Sequence, residues 1–295
     1  MMMPAAHLIR HRHRRRRTAR RPAVTTTTWS AAVERVIDLM HQRARGRPPS
    51  LREMADTAYF SPYHFHRLFC RLTGVPPGRF LSAVRLATAK RLLVESGLRV
   101  TDVCFEVGYE SLGTFTTQFT QAVGVSPNRL RRLTATLAGS SARLDPVELM
   151  PPDRRHGPTI SGHVQTPDNA AALICLGLFA APLPQGRPRT CALLTGPGEY
   201  QLVAPADGTY HLFAAALRWP DGARGAGAAD TAPLWVGASP GPLHVRGRQV
   251  SGCTDVALRP RQRTDPPIVV SLPSLLAERL PGLSRPAAWA DALGR

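Results

Sequence analysis

Lysine is all but missing: Lys90 is the single example among 38 basic residues. Such a bias follows from a GC-rich coding sequence, so arginine abundance alone says little about function. Cysteine is also sparse, and Cys70, Cys104, Cys175, Cys191 and Cys253 never fall in C-x-x-C spacing. That excludes a disulfide framework and a zinc ribbon and predicts free thiols in a reducing compartment. No run approaches the roughly 18 apolar residues of a bilayer crossing, and the N-terminus lacks an apolar signal region. A soluble cytoplasmic protein with no membrane partner is expected. Acids are few, 20 against 38 bases, and the net charge of +18 points away from an ordinary acidic enzyme and toward a polyanionic partner. Hydrophobic residues are present at 43%, enough to build cores despite 28 Pro and 24 Gly. A length of 295 residues allows two domains at roughly 100 to 200 residues each.

The charge is concentrated in the first 150 residues, at +14, against +4 in the remainder. Residues 1–28 hold eight arginines, three histidines and no acid, without helical or strand period. They read as a disordered basic arm, open to a phosphate or minor-groove role, to a merely solvated tail, or to a start codon placed too far upstream. From residue 29 the pattern is helical. Val33, Val36, Ile37 and Met40 mark a first amphipathic helix, stopped by Gly46, Pro48 and Pro49. Ser50 and Glu53 form a capping-box pair that starts a second helix at Leu51. Ser61-Pro62 starts a third, with Phe65, Leu68, Phe69 and Leu72 on one face, and a long linker helix follows from about Pro77 to Ser96.

A repeat then organises the domain. Ser61, Phe65, Phe69, Gly74, Val75, Pro77 and Arg79 recur 50 residues later as Ser111, Phe115, Phe119, Gly124, Val125, Pro127 and Arg129. These are cap, core and stop residues, so the chain builds one helix-turn-helix twice, the second from helices near 101–107 and 111–123.

The stretch Phe60-Ser61-Pro62-Tyr63-His64-Phe65-His66-Arg67-Leu68-Phe69 and the stretch Val107-Gly108-Tyr109-Glu110-Ser111 through Phe115 and Phe119 to Pro127 resemble the DNA-binding domain of AraC/XylS-type transcriptional regulators. The resemblance covers residues 30–133. It implies a bi-helical reader of successive major grooves in double-stranded DNA that contacts RNA polymerase as an activator. Matched position by position, it assigns base readout to Tyr63, His66 and Arg67 in the first motif and to Gly113, Thr116 and Thr117 in the second. Arg67 suits a guanine O6/N7 pair. Phosphate contacts fall to Ser61, Arg71, Ser111, Arg129 and Arg131, with Arg132 alongside. The family usually has a basic residue where Thr117 and Thr120 stand, so the first motif is expected to dominate affinity; Gln118 and the threonines remain able to touch thymine or adenine. Phe65, Phe69, Tyr109, Phe115 and Phe119 read as core, Cys104 as a core thiol and Gly108 as a positive-φ turn. His64 and His66 point apart at i, i+2 and make no metal site.

Residues 135–157 read as a linker rich in Ala, Gly, Ser and Pro. Beyond it the period changes to two, with strands expected near 159–165, 172–179, 190–195, 199–204, 209–216, 234–237, 254–258 and 268–272, and a short helix and tail at 276–295. The expected fold class is therefore multi-domain: an all-α double helix-turn-helix at 29–134, then an all-β, sandwich-like accessory domain at 158–275. The run Pro205 to Leu212 is similar to a strand-turn-strand of transthyretin-like or carboxypeptidase-regulatory sandwiches. Gly237-Ala238-Ser239-Pro240-Gly241 has a proline where a nucleophile elbow must enter a helix, and no catalytic set, metal site or cofactor motif emerges. The β half is open to sensing a small-molecule effector, with Ala172 to Phe179 as pocket lining or core, and to pairing as a homodimer. The rival readings are binding of nucleic acid without sequence preference through the arm, and an enzyme housed in the β half.

Overall fold

A computed structural model describes residues 24–139, 157–169, 172–204, 206–217 and 235–271. The expectations for a linker at 140–156, for a terminal helix and tail, and for the arm through residue 23 lie outside these residues. The first helix, α1 (Val24–Gln42), starts earlier than its apolar period indicates, taking in the threonine run from Thr25, which the sequence pattern places in the arm. Threonine is a poor helix former. Propagation fixes one residue per hydrogen bond gained, and Trp29, half-buried against the core below, ties down the first turns.

Then follow α2 (Leu51–Thr57), α3 (Pro62–Thr73), α4 (Pro77–Glu95), α5 (Val100–Glu106), α6 (Leu112–Val123) and α7 (Pro127–Gly139). Helix α7 runs past 134 into the segment expected to be linker. The capping box is formed: Ser50 Oγ accepts from the Glu53 N–H at 3.2 Å, and the Glu53 carboxylate accepts from the Ser50 N–H at 2.7 Å. The Ser50 backbone N–H, then the Ser50 hydroxyl and the nearby Arg47 and Arg43, hold the Glu53 carboxyl down to about 2 from an ordinary 4.5. A depressed acid stabilises the fold above its unfolded value, and that contribution disappears as pH falls from about 4.5 toward 2. Glu53→Gln should therefore lose less of its urea midpoint between pH 5 and pH 3 than the parent chain does; equal losses would show that the box carries no acid sensitivity.

Two cores underlie the helices. The first gathers Val33, Val36, Ile37 and Met40 of α1 with Met54 and Ala55, Phe65 and Phe69, and Phe80 and Val84 of α4. Phe69 meets Phe80 edge-on with ring centroids 5.4 Å apart. The second gathers Leu86, Ala89 and Leu93 of α4 with Val103, Cys104, Tyr109, Phe115, Phe119 and Leu130. Helix α4 thus contributes one end to each core.

The second half is β-rich, as expected. Strands β1 (Thr159–Gln165), β2 (Leu173–Phe179), β3 (Thr190–Leu194), β4 (Gly198–Val203), β5 (Gly208–Leu217) and β6 (Trp235–Ala238) lie where the alternation places them. A hairpin of β7 (Leu243–Arg246) and β8 (Gln249–Ser251) is additional, and β9 (Val256–Ala257) and β10 (Arg259–Pro260) are short. Residues 268–271 form no strand, a correction to the strand expected there. One sheet has the order β4-β1-β9; the larger runs β10-β6-β5-β2-β3, with β7 beside β5 and β8 beside β7. Ile174, Leu176 and Leu178 of β2 share a core with Ile160 and Val164 of β1 and Leu202 of β4. The alternate residues Leu173, Cys175 and Phe179 belong instead to the second helical core, as do Val269 and Val270. Strand β2 is therefore buried along its whole length because each face has its own cover.

Polar contacts continue this junction at the C-terminal end of α6. The Gly186 N–H donates to Ala122 O at 2.7 Å, the Ser271 N–H to Val123 O at 3.1 Å and Arg187 Nε to Gly124 O at 2.9 Å. The last carbonyls of a helix lack partners within it, and the β half satisfies three at this end. At the other side, Arg263 pairs with Asp38 of α1 at 3.0 Å.

Candidate nucleic-acid interface

The outward faces of α3 and α6 are shaped by the same local devices. Ser61 Oγ accepts from the His64 N–H at 3.4 Å, Pro62 occupies the first turn, and Gly74 ends α3 in the left-handed region at φ 74°. Ser111 Oγ accepts from the Thr114 N–H at 3.2 Å, and Gly124 ends α6 at φ 93°. Each such cap stabilises its helix by about 1 kcal/mol and fixes where it begins, so the outward register is set before any ligand arrives.

Phe65 and Phe69 face inward at 0% exposure, which turns Tyr63, His64, His66, Arg67 and Arg71 to solvent. Tyr63 is 75% exposed although aromatic. Tyr63, Arg67 and Arg71 follow one another at i, i+4 and i+8, a single stripe along α3. His66 lies beside Cys70, its Nδ1 3.8 Å from the sulfur, and His64 leans on the Phe60 ring at 4.9 Å. In the second motif Phe115 and Phe119 are buried in the same way, and Gly113, Thr114, Thr117, Gln118 and Gln121 are exposed. Thr116 is half-buried and lines an open cleft of about 570 Å³ with Leu112, Arg99, Thr101, Asn128 and Arg131. Arg99, Thr101 and Asn128 were not singled out from the sequence; only the cleft between α5, α6 and the start of α7 brings them to Thr116.

Three of the expected phosphate contacts already have partners within the domain. Arg131 turns inward: Nε donates to Leu93 O at 3.1 Å and Nη2 to Leu98 O at 2.5 Å, so it closes the end of α4. Ser61 and Ser111 are exposed, but their oxygens already serve as caps, and the Ser111 hydroxyl also meets Thr114 Oγ1 at 3.3 Å. Arg71 and Arg129 are exposed at the surface.

The turns differ between the two units. Phe60 N–H bonds Ala55 O and Tyr109 N–H bonds Cys104 O, an offset of 49, so Glu110 is one extra residue before the 50-residue offset resumes at Ser111. The positive φ falls on Gly108 in one turn and on Tyr59 in the other, at 74° and 59°. Tyr59 is 85% exposed, while the Tyr109 ring is packed between Phe115 and the Arg85 guanidinium, and its hydroxyl reaches Gln118 Oε1 at 3.0 Å. Burial pushes the Tyr109 hydroxyl pKa up, with the nearby Ser82 hydroxyl and Arg85 charge working against it. Gly46, in the loop after α1, donates its N–H to Glu106 O at 2.8 Å, and Arg85 Nε donates to Val107 O at 2.6 Å. These contacts set one unit against the other.

The helix-turn-helix domain family signature matches residues 54–133. Residues 54–133 are a helix-turn-helix domain of the AraC type. The chain spans 40% or less of the length of the first curated relatives it matches. The bifunctional transcriptional activator/DNA repair enzyme AdaA of Bacillus subtilis is 31% identical over 84 residues, which are 28% of this chain and 40% of AdaA. The transcriptional activator AarP of Providencia stuartii is 28% identical over 97 residues, 33% of this chain and 71% of AarP. Among solved structures, the DNA-binding domain of AdpA in complex with a target DNA shares 28% identity over 36% of this chain and 90% of that chain, with a TM-score of 0.31. No helix among the described residues is long and apolar enough to cross a membrane.

Proposed function

We propose that this chain is a sequence-specific DNA-binding regulator of transcription, acting by equilibrium binding without chemistry, through the outward faces of α3 and α6. The observation that carries the reading is the pair of capped helices whose inner faces are pinned by Phe65 and Phe69, and by Phe115 and Phe119, to opposite ends of α4. At 1.5 Å per residue α4 is about 28 Å long, near the roughly 34 Å repeat of B-DNA. A strut of that length suits two probes entering successive major grooves. The net charge of +18 supplies the salt-dependent attraction to phosphates. In this reading Tyr63, His66 and Arg67 contact base edges, Thr116 and Thr117 do so more weakly beside Gly113, and Arg71 and Arg129 hold phosphates. The chain then works in the cytoplasm, as an activator in contact with RNA polymerase.

Arg67→Ala should cost roughly 1 to 3 kcal/mol on the preferred site and relax preference at one base pair, whereas Arg129→Ala should weaken all duplexes alike and flatten the salt dependence. Equal loss on every sequence for Arg67→Ala would remove it from base readout. Binding of nucleic acid through the basic arm alone makes the opposite prediction for truncation. Removing residues 1–23, ahead of α1, leaves specific binding mostly intact in the present reading and abolishes it in the other.

A further inference from the structure

The larger sheet leaves a half-open cavity of about 310 Å³ on the side that turns toward the helices, walled by Phe179, Phe213, Ala215 and Val236 and lined also by Ile268 and Val270. Its lining is mostly apolar, and its volume lies at the lower end of small-molecule sites. At about 30 Å³ per water in the liquid, it has room for about ten non-hydrogen atoms. The mouth is charged. Arg259 and Asp265 neutralise each other through two bonds of 2.7 Å, and the Gln262 N–H takes up Asp265 Oδ2 as well. Arg263 is paired with Asp38. Arg261, also lining the cavity, is half-buried and makes no hydrogen bond or ion pair among the described residues. Burial lowers its pKa, with Asp265 partly offsetting; His41 on α1 is lowered by its own burial and then by the Arg261 charge. A guanidinium stays protonated under these conditions. A desolvated cation whose nearest acid, Asp265, is already bonded by Arg259 is only partly compensated, and an anion placed against it recovers the remaining cost.

We propose that this cavity binds a small amphipathic carboxylate, its apolar tail against Phe179 and Phe213 and its carboxylate on Arg261, and that occupancy changes the affinity of the reader for DNA. The regulatory half of this inference rests on the DNA-binding reading above. The route is the strap 261–271, which walls the cavity through Pro266, Ile268 and Val270. Near its start, Arg263 holds α1 through Asp38; at its end, the Ser271 N–H holds Val123 O at the end of α6. One segment thus touches the ligand, the first motif's supporting helix and the second motif's probe helix. A ligand that favours one strap position over another shifts the reader by its difference in affinity for the two.

Titration calorimetry of the full chain with octanoate, octylammonium and octanol, without DNA, tests the site independently of the DNA reading. Octanoate should bind at one per chain and at least tenfold more tightly than the other two. Arg261→Gln should remove that preference, and Ala215→Leu, which fills the cavity, should abolish binding while circular dichroism shows both variants folded. Absence of octanoate binding, equal binding of octylammonium, or an unaffected Arg261→Gln variant would overturn the site. On a duplex recovered by selection from random sequence, saturating octanoate should change the Kd at least threefold in the parent and not in Ala215→Leu. An unchanged Kd in the parent would overturn the regulatory role and leave the DNA-binding reading standing.

Discussion

Gly108→Ala is expected to cost about 2 to 5 kcal/mol and to loosen one helix-turn-helix from the other. A β-carbon at φ 74° carries a left-handed penalty of about 1 to 2 kcal/mol. It would also be placed on the backbone carbonyl oxygen of Gly46, which cannot swing away as a side chain would. Displacing that loop adds the roughly 1 to 3 kcal/mol of an overpacked site. The Gly46 N–H bond to Glu106 O and the Arg85 bond to Val107 O lie in the same contact, so the damage falls on the seam between the two units. Tyr59→Gly, at the matching and exposed turn, should change stability by no more than about 1 kcal/mol, because there strain is relieved while backbone freedom in the unfolded chain is increased. Chemical denaturation of the three proteins separates these expectations. A midpoint for Gly108→Ala equal to that of the parent would show that the seam is not where the structure puts it.

Phe119→Ala should be at least as damaging, at about 3 to 5 kcal/mol for a fully buried phenylalanine. Where the damage spreads is more informative. Phe119 belongs to a core that includes Leu173, Cys175 and Phe179 of β2 and Val269 and Val270 of the strap, whereas Phe69 belongs to the core of α1, α3 and the front of α4. Hydrogen exchange of Phe119→Ala should lose protection in α5 and α6 together with β2 and β3. Phe69→Ala should lose it first in α1 to α3. Protection of β2 that is indifferent to Phe119→Ala would mean that the junction contributes nothing to stability.

The helical half was legible because its signals are local. Ser50 with Glu53, Ser61 with Pro62, and Gly74 each specify a helix end within four residues, and a second copy of the phenylalanine spacing at 115 and 119 corroborates the first. The outward stripe of Tyr63, Arg67 and Arg71 follows from that spacing alone. Arg131 did not, since a guanidinium on a helix beside a proposed backbone contact looks the same in sequence whether it meets a phosphate or the Leu93 and Leu98 carbonyls 38 and 33 residues away. The start of α1 was misplaced because Thr25 to Thr28 has no helical preference and is drawn in by packing at Trp29. In the β half, alternation located most strands, but the uninterrupted burial of Leu173 to Phe179 has two causes that sequence cannot separate. Ile174, Leu176 and Leu178 face the other sheet, and Leu173, Cys175 and Phe179 face the helices. The cavity beneath the strap was invisible for the same reason, as it is assembled from loops and strand faces distant in the chain.

Two capped helices on one strut should leave two marks on a duplex. Selection from random duplexes with the full chain, followed by guanine methylation interference on the enriched sequence, tests it most directly. The expected result is a single preferred site with two interference clusters in the major groove about ten base pairs apart, the stronger one lost in Arg67→Ala. Enrichment of no sequence over the starting pool, or interference confined to one cluster that Arg67→Ala leaves unchanged, would contradict it.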